Sequence, residues 1–208
     1  RRTISRVFNP KLSEGTLIYE IGNIRREIKA ISELAPVFPE SEDIRTFKEY
    51  MQPGLIQLYC PSPFWLDDFE ASEEIITWIG GMTFPLRLPT AFSMAGDKII
   101  NIINDGDVET PIKLEITGTA TNPKVLNRTT GEFIKVNRTL TSDDTLVITT
   151  NFGNKRVELN DVNVFNYIDL NSTFFNLDVG DNVIEMTTDD ENDNTNIKIS
   201  YRNRYIGV

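Results

Sequence analysis

Apolar and polar side chains alternate along short segments in the second half of the chain. In the segment 112–117 (IKLEIT), the apolar residues Ile112, Leu114 and Ile116 occupy every second position. The same alternation recurs at Leu146 and Ile148, at Val157 and Leu159, and at Ile197, Ile199 and Tyr201. A period of two is the repeat of a β-strand with one buried face. The pattern therefore predicts a series of short strands.

Turn-forming residues separate these segments at regular intervals. Clusters rich in Gly, Asn, Asp and Thr occur at 104–107, 129–132, 151–154 and 178–181, and an acidic stretch follows at 189–194. Short alternating strands between frequent turns are typical of an antiparallel β-sandwich or barrel. The second half is therefore predicted to form such a domain.

The first half has a less regular pattern. The segment 15–21 (GTLIYEI) predicts a strand, and Gly22-Asn23 supplies a two-residue turn. The segment 23–34 (NIRREIKAISEL) fits both helical spacing and a return strand, and the preceding turn favours the strand. A further strand is predicted at 55–60 (LIQLYC), ended by Pro61, which has no amide hydrogen to donate.

A domain boundary is predicted near residue 90. The segment 72–78 (SEEIITW) fits a strand or a short helix, and 84–89 (FPLRLP) has the composition of an extended linker. Domain boundaries fall in such segments. The expected domains are residues 1–90 and residues 91–208.

Charge and residue types exclude several functions. The formal net charge of −10 repels phosphate backbones, so no specific nucleic-acid partner is expected. Histidine is absent and Cys60 is the single cysteine, which excludes Ser-His-Asp and Cys-His sites, an intrachain disulfide and a thiolate zinc site. Since the chain has no run of about 18 apolar residues, no membrane insertion is predicted.

Carboxylates could still supply a glycosidase pair, which needs two acids facing each other across a cleft. The candidates are Asp67, Asp68, Asp105, Asp107, Glu109, Asp143 and Asp144. Most of them lie in turn segments, where an Asp side chain accepts hydrogen bonds from nearby backbone. The structural interpretation is favoured, and no catalytic residue is predicted.

No metal or cofactor is predicted either. The stretch 189–194 (DDENDN) is rich in oxygen ligands but lacks the central Gly and terminal Glu of an EF-hand loop, so a solvated hairpin loop is favoured. Cys60 precedes Pro61 and is expected to be a buried structural residue, because no His exists to lower the pKa of its thiol.

Aromatic side chains are candidates both for sugar binding and for the two cores. Tyr59, Phe64, Trp65 and Trp78 could form a stacking platform for sugars, although aromatic residues more often pack in cores. Phe64, Trp65 and Phe84 are expected to be buried in or beside the first domain. The core of the second domain is expected to contain Phe133, Phe165, Tyr167, Phe174, Phe175 and Tyr201. No glycan or partner contact is assigned to a particular residue.

Several stretches together resemble the distal tail protein family of siphophages and their prophage relatives. They are CPSPFWLD at 60–67, WIGGMTFPL at 78–86, NDGDVETPIKLEITGTATNP at 104–123, NRTTGEFIKV at 127–136, FNYIDLNSTFFNLDVGDNVI at 165–184 and YRNRYIGV at 201–208. Their order and spacing extend over nearly the whole chain. Residues 1–10 (RRTISRVFNP) resemble the end of a helix in the family's N-terminal domain, so the chain is expected to begin part-way through that domain.

The resemblance implies a mainly β protein without catalytic activity. Its N-terminal domain would be a β-rich unit that forms a hexameric ring, followed by an antiparallel sandwich similar to galectins and carbohydrate-binding modules. The expected role is a hub in the virion tail tip, made in the bacterial host cytoplasm, that joins the tail tube to baseplate and receptor-binding proteins.

Two other functions stay open. A glycan-binding module for host attachment predicts an exposed aromatic side chain beside polar groups on the sandwich. A carboxylate-pair glycosidase, the less favoured alternative, predicts two acids about 5–10 Å apart in a cleft.

Overall fold

A computed structural model describes residues 1–38, 53–76, 78–80, 93–95, 98–190 and 192–208, with 78–80 and 93–95 described by their backbone. The chain divides into two compact units. Unit 1 comprises Arg1–Asp68 and Ile206–Val208, and unit 2 comprises Phe69–Tyr205. The boundary predicted near residue 90 and the linker at 84–89 lie outside the described residues.

Unit 1 is built around one hairpin. Its described elements are α1 (Arg2–Val7), β1 (Gly15–Ile21), β2 (Ile24–Ser32), β3 (Leu58–Tyr59) and β4 (Trp65–Asp67). Strands β1 and β2 are antiparallel, with Ile21 opposite Ile24 and Gly22 at φ +57° in the turn. Glycine adopts this conformation without the steric cost of a Cβ atom. The return strand predicted after the turn is therefore confirmed.

Strand β2 also pairs with β3 and β4, both antiparallel. The strand predicted over 55–60 is shorter than expected, since β3 contains only Leu58 and Tyr59. Leu55 forms an isolated bridge with Val37 instead, and its side chain is 65% exposed. Apolar and polar residues alternate over 55–60, but only Leu58 and Tyr59 form a strand paired with β2.

Unit 2 contains the remaining strands and one short 3-10 helix. They are β5 (Ala71–Ile76), β6 (Trp78–Gly80), β7 (Ser93–Ala95), β8 (Ile99–Asn104), β9 (Ile112–Gly118), β10 (Ala120–Thr121), β11 (Lys124–Asn127), β12 (Phe133–Lys135), β13 (Thr139–Leu140), β14 (Thr145–Thr149), β15 (Arg156–Leu159), β16 (Val162–Asn163), the 3-10 helix Phe165–Tyr167, β17 (Gly180–Thr187), β18 (Thr195–Tyr201) and β19 (Arg204–Tyr205). The segment 72–78, open between strand and helix, lies mostly in β5.

Two antiparallel sheets dominate unit 2. The larger has the order β16-β15-β14-β9-β18-β5, and the smaller has the order β12-β11-β17-β8. Short pairs form between β6 and β7 and between β10 and β13. Next to the edge of the larger sheet, β18 pairs with β9 on one side and with the outer strand β5 on the other.

Inward-facing residues of both sheets form one apolar core. Leu114 in β9, Leu146 in β14 and Ile199 in β18 are fully buried in the larger sheet, as are Ile184 and Met186 in β17 of the smaller one. Each polar neighbour along these strands points away, as the period of two requires. The mainly β fold and the antiparallel sandwich predicted from the sequence are confirmed.

The aromatic core was predicted only in part. Phe175 and Tyr201 are buried, and Phe133 and Phe174 are half-buried. The expectation was wrong for Phe165 and Tyr167, whose side chains are 43% and 39% exposed. Both belong to the 3-10 helix, where side chains do not alternate between two faces as they do in a strand.

A buried asparagine closes the turn predicted at 104–107. The side chain of Asn104 accepts a hydrogen bond from the amide of Gly106 and donates to the carbonyl oxygens of Val108 and Leu177. All of its polar groups are thus satisfied away from water. A Cβ atom on Gly106 would lie 2.6 Å from the carbonyl oxygen of Arg204, so this position requires glycine.

Candidate functional site

Two of the candidate carboxylates, Asp143 and Asp144, accept hydrogen bonds within and beside a turn. Asp144 accepts hydrogen bonds from the amide and hydroxyl of Thr141, both at 2.8 Å, and from the side-chain amide of Asn160 at 2.8 Å. These donors, with the Thr141 amide first, lower the pKa of Asp144. Asp143 accepts from the hydroxyl of Ser142. The lowered pKa makes Asp144 a poor general acid.

Hydrogen-bond donors lower the pKa of four carboxyl groups in unit 2. Asp144, Asp169, Glu185 and Asp189 all have a lowered pKa, in each case chiefly because a hydrogen-bond donor stabilises the carboxylate. The strongest geometry joins Glu185 to Arg128, whose two nitrogens each lie 2.6 Å from a carboxylate oxygen. A glycosidase acid needs the opposite shift.

The acidic side chains at 189–194 accept hydrogen bonds from within the stretch and from the segment that contains Thr121 and Asn122. Asp190 accepts from the backbone and side chain of Asn192, Asp189 accepts from Asn122, and Asp193 accepts from the amide of Thr121. Over the described ranges, no three Asp, Glu or Cys side chains gather as a metal site. Glu191 lies outside these ranges.

The described first-domain candidates lie on and around strands β3 and β4. Cys60 was expected to be buried but is only half-buried, in the loop after β3. Trp65 is half-buried and meets the ring of Tyr19 edge-on, with 6.4 Å between ring centroids. Tyr59 is 54% exposed. The side chains of Trp78 and Phe84 lie outside the described part of the chain.

Unit 1 exposes most of its large apolar side chains. Ile28 and Ala30 are its only buried hydrophobic residues within the described ranges. Large apolar residues are exposed around α1, on the β1–β2 hairpin and near β3: Ile4, Val7, Leu12, Ile18, Ile21, Ile24, Leu34, Val37, Leu55, Ile56 and Tyr59. Large contiguous patches of exposed apolar side chains are typical of interaction surfaces.

A groove lies at the centre of this surface. It has a volume of about 400 Å³ and runs between the end of α1 and the start of β1. Val7, Phe8 and Leu12 line one side, while Leu17 and Leu58 line the strand side. Beside it, β1 pairs with β2 alone among the described strands, so its other edge offers backbone groups for pairing.

Unit 2 carries an aromatic surface at one margin of the sandwich. The rings of Phe165 and Phe174 stack with centroids 5.6 Å apart and planes 6° from parallel. The guanidinium of Arg138 lies 4.9 Å from the ring centroid of Tyr167, and the Lys155 ammonium lies 5.5 Å from that of Phe174. Half-exposed aromatic rings thus lie beside cationic side chains.

Unit 2 contains a segment that matches a known protein family. The family model described as the siphovirus-type tail component, C-terminal domain, matches residues 105–205. These residues lie entirely within unit 2. No curated protein and no solved structure matches the chain.

Unit 2 is therefore a structural domain of a phage tail. Its residues 105–205 match the siphovirus-type tail component, which supports the distal tail protein family indicated by the sequence. Such a component is located in the virion tail and contacts other tail proteins. No helix of the described residues is long and apolar enough to cross a membrane.

Proposed function

We propose that this protein is the distal tail hub of a siphophage or prophage, joining the tail tube to baseplate and receptor-binding proteins at the tail tip. Its copies assemble into a hexameric ring through unit 1, while unit 2 is a galectin-like sandwich that faces other tail components. The role is structural and requires no catalytic residue.

The observation that carries this proposal is the exposed apolar surface of unit 1. A sheet whose hydrophobic residues remain largely in contact with water gains stability when another surface covers them, by roughly 25 cal/mol for each Å² of apolar area buried. Leu12 lines the groove and is 54% exposed, and Ile18, on the other face of β1 from Leu17, is 47% exposed. A homo-oligomer would cover the same residues in every copy.

The solution mass of the full-length protein, measured by light scattering, tests the ring. A mass near six subunits is expected, and electron microscopy should then show a central channel. A stable monomer over a wide concentration range would overturn the ring.

A matched pair of substitutions tests the surface. Leu12→Lys places a charge in the groove of unit 1 and should reduce the mass, because a buried unpaired charge is costly. Val162→Lys, at a residue of unit 2 that is 64% exposed, should leave the mass unchanged. Equal masses for the two variants would exclude the groove as a contact between copies.

A glycan-binding role for unit 2 is a second candidate, favoured by the exposed rings of Phe165 and Tyr167. Aromatic faces beside polar groups suit the apolar faces of sugars. Calorimetric titration with polysaccharide from the host cell wall should then show saturable binding that Tyr167→Ala abolishes. The control is Phe152→Ala, at a side chain that is 100% exposed in the 151–154 turn. Unsaturable binding, or equal loss in both variants, would exclude this role.

A further inference from the structure

The turn between β8 and β9 contains the one Asp-Gly pair of the chain, Asp105-Gly106, and the chain has no Asn-Gly pair. In these two dipeptides the side chain is attacked most readily by the next backbone nitrogen, because glycine has no Cβ atom to hinder the approach. The Asp105 side chain is exposed. The sequence therefore makes Asp105 the position most prone to spontaneous isomerisation.

This isomerisation needs no reactant other than water. The Gly106 backbone nitrogen attacks Cγ of the protonated Asp105 carboxyl, the nitrogen loses its proton, and the carboxyl hydroxyl leaves as water to give a cyclic succinimide. Water then opens the ring at one of two carbonyl carbons. Opening at Cγ restores aspartate, whereas opening at the main-chain carbonyl leaves the backbone running through Cγ, which is isoaspartate. The mass of the chain is unchanged.

In the folded turn, the attacking nitrogen is engaged by another side chain. The Gly106 amide donates a hydrogen bond to Oδ1 of Asn104 at 3.0 Å, away from water. Asn104 is itself 1% exposed, and its side-chain amide donates to the carbonyl oxygens of Val108 and Leu177. The Gly106 nitrogen therefore cannot lose its proton or turn toward Asp105 until the bond to Asn104 breaks.

Packing restricts the same glycine from another direction. The position of a Cβ atom on Gly106 lies 2.6 Å from the backbone oxygen of Arg204 and 2.9 Å from its backbone nitrogen. The amide of Asp107 donates to the same Arg204 oxygen at 2.8 Å, and Val108 forms a β-bridge with Arg204. Closing the succinimide ring thus requires the turn to move away from Arg204.

We propose that Asp105 is the site at which this chain converts to isoaspartate, and that Asn104 protects it by holding the Gly106 amide. Isomerisation then occurs only from the open turn, at the rate of an unstructured peptide multiplied by the fraction of molecules in which the turn is open. The proposal goes beyond the hub function, because it concerns how long unit 2 keeps its native covalent structure.

The product cannot rebuild the native turn. Isoaspartate adds one carbon atom to the backbone between Asn104 and Gly106, so the two ends of the turn no longer match their partners. The Gly106 amide cannot reach Oδ1 of Asn104 while the Asp107 amide keeps its bond to Arg204. The converted chain should therefore lose the hydrogen bonds that join this turn to β19.

Two measurements on the full-length protein test the proposal. Hydrogen exchange resolved to single residues gives the protection of the Gly106 amide. Peptide mapping with electron-transfer fragmentation, which distinguishes isoaspartate from aspartate, gives the isomerisation rate at Asp105. The reference for both is the free peptide NDGDV, residues 104–108.

The two measurements should agree. The native chain should isomerise more slowly than the peptide by the factor by which the Gly106 amide is protected, to within about threefold, because both processes require the same opening. Isomerisation of the folded chain that is much faster than exchange of the Gly106 amide allows would overturn the role of this amide.

Asn104→Ala removes the acceptor and two further buried hydrogen bonds. It should raise the isomerisation rate of the folded chain at least about tenfold. The matched control is Asn127→Ala, at a buried asparagine that accepts hydrogen bonds from the amides of Thr129 and Thr130 in a different turn. Its rate at Asp105 should stay within about twofold of the native rate. Equal rates for the two variants would contradict protection by Asn104.

Asp105→Glu checks the site without removing any contact of Asn104. Its longer side chain does not form the five-membered ring, so isomerisation within 104–108 should disappear while the Gly106 amide stays protected. Isomerisation that persists in this segment would assign the site to Asp107 instead and overturn the proposal. If Asn104→Ala does not fold, the comparison of the native chain with the peptide and this variant decides the question.

Discussion

The two units of this chain bury their apolar residues to very different extents. In unit 2, alternating strands from two sheets pack into one core in which Leu114, Ile184 and Ile199 have no exposed surface. In unit 1, the hairpin β1–β2 buries Ile28 and Ala30 but leaves Ile18, Ile21 and Ile24 exposed. Unit 2 therefore has a closed apolar core, whereas the described part of unit 1 leaves most of its large apolar side chains exposed.

The difference also separates two kinds of function within one polypeptide. A closed sandwich can present surfaces, such as the rings of Phe165 and Tyr167, without changing its own core. An open sheet contributes most of its apolar residues to whatever covers it. The hub proposal assigns assembly to the open unit and contact with other components to the closed one.

The largest effect is expected from truncating the core of unit 2. Leu114→Ala should lower the free energy of unfolding by about 2–5 kcal/mol, because it removes buried methyl groups and leaves a cavity. Ile18→Ala in unit 1, at a side chain that is 47% exposed, should cost less than about 1 kcal/mol in the dissociated chain. Urea unfolding monitored by circular dichroism measures both. Similar costs would show that the two units are packed alike.

A smaller effect is expected from adding one methyl group to a glycine of each unit. Gly106→Ala should destabilise unit 2 by about 1–3 kcal/mol, because the new Cβ meets backbone atoms of Arg204 that cannot easily move. Gly15→Ala should be neutral or stabilise by up to about 1 kcal/mol, since its Cβ would lie 3.9 Å from the Ala30 carbonyl oxygen. Thermal unfolding measures both, and a tolerated Gly106→Ala would contradict the tight packing of that turn.

The smallest effect is expected from an ion pair of each unit. Arg128 lowers the pKa of Glu185, so the pair stabilises unit 2 above the unfolded pKa of about 4.3 and loses this contribution as the pH falls through the folded pKa. Arg128→Ala should therefore reduce the difference in unfolding free energy between neutral and acidic pH. It should also raise the pKa of Glu185 in an NMR titration.

The matched control is Arg25→Ala in unit 1. The Arg25 side chain lies 3.9 Å from the Asp68 carboxylate, and both side chains are well exposed. Such a pair is weak and screened by solvent, so the pH dependence should not change. An equal change in the two variants would show that the close Arg128–Glu185 contact adds no more to the pH dependence of stability than an exposed ion pair does.

Much of the fold was predictable because the strands of unit 2 face water on one side and the core on the other. Ile112, Leu114 and Ile116 alternate in the sequence, and they are buried in the structure. The Gly22-Asn23 turn resolved an ambiguous segment correctly, because a tight hairpin requires the chain to return as a strand. The alternation of apolar and polar residues was sufficient to predict burial wherever a strand has one face in the core and the other in water.

The local pattern was insufficient where burial depends on neighbours. Phe165 and Tyr167 were expected in the core because of their apolar area, yet their 3-10 helix lies at a margin where the rings stay half-exposed. The Asp105-Gly106 pair is visible in the sequence. That Gly106 packs against the backbone of Arg204 depends on how distant segments meet, which no single segment specifies.

The position of β18 has a consequence for how the protein is made. This strand, Thr195–Tyr201, lies between β9 and β5 in the larger sheet, although β5 precedes it by more than a hundred residues. Until the ribosome has released residue 201, β5 lacks its pairing partner and β9 has only one of its two neighbours. Sheets that depend on such distant pairing fold slowly. Unit 2 should therefore complete its fold only after residue 201 has left the ribosome, and unpaired strands such as β5 should need protection from aggregation in that interval.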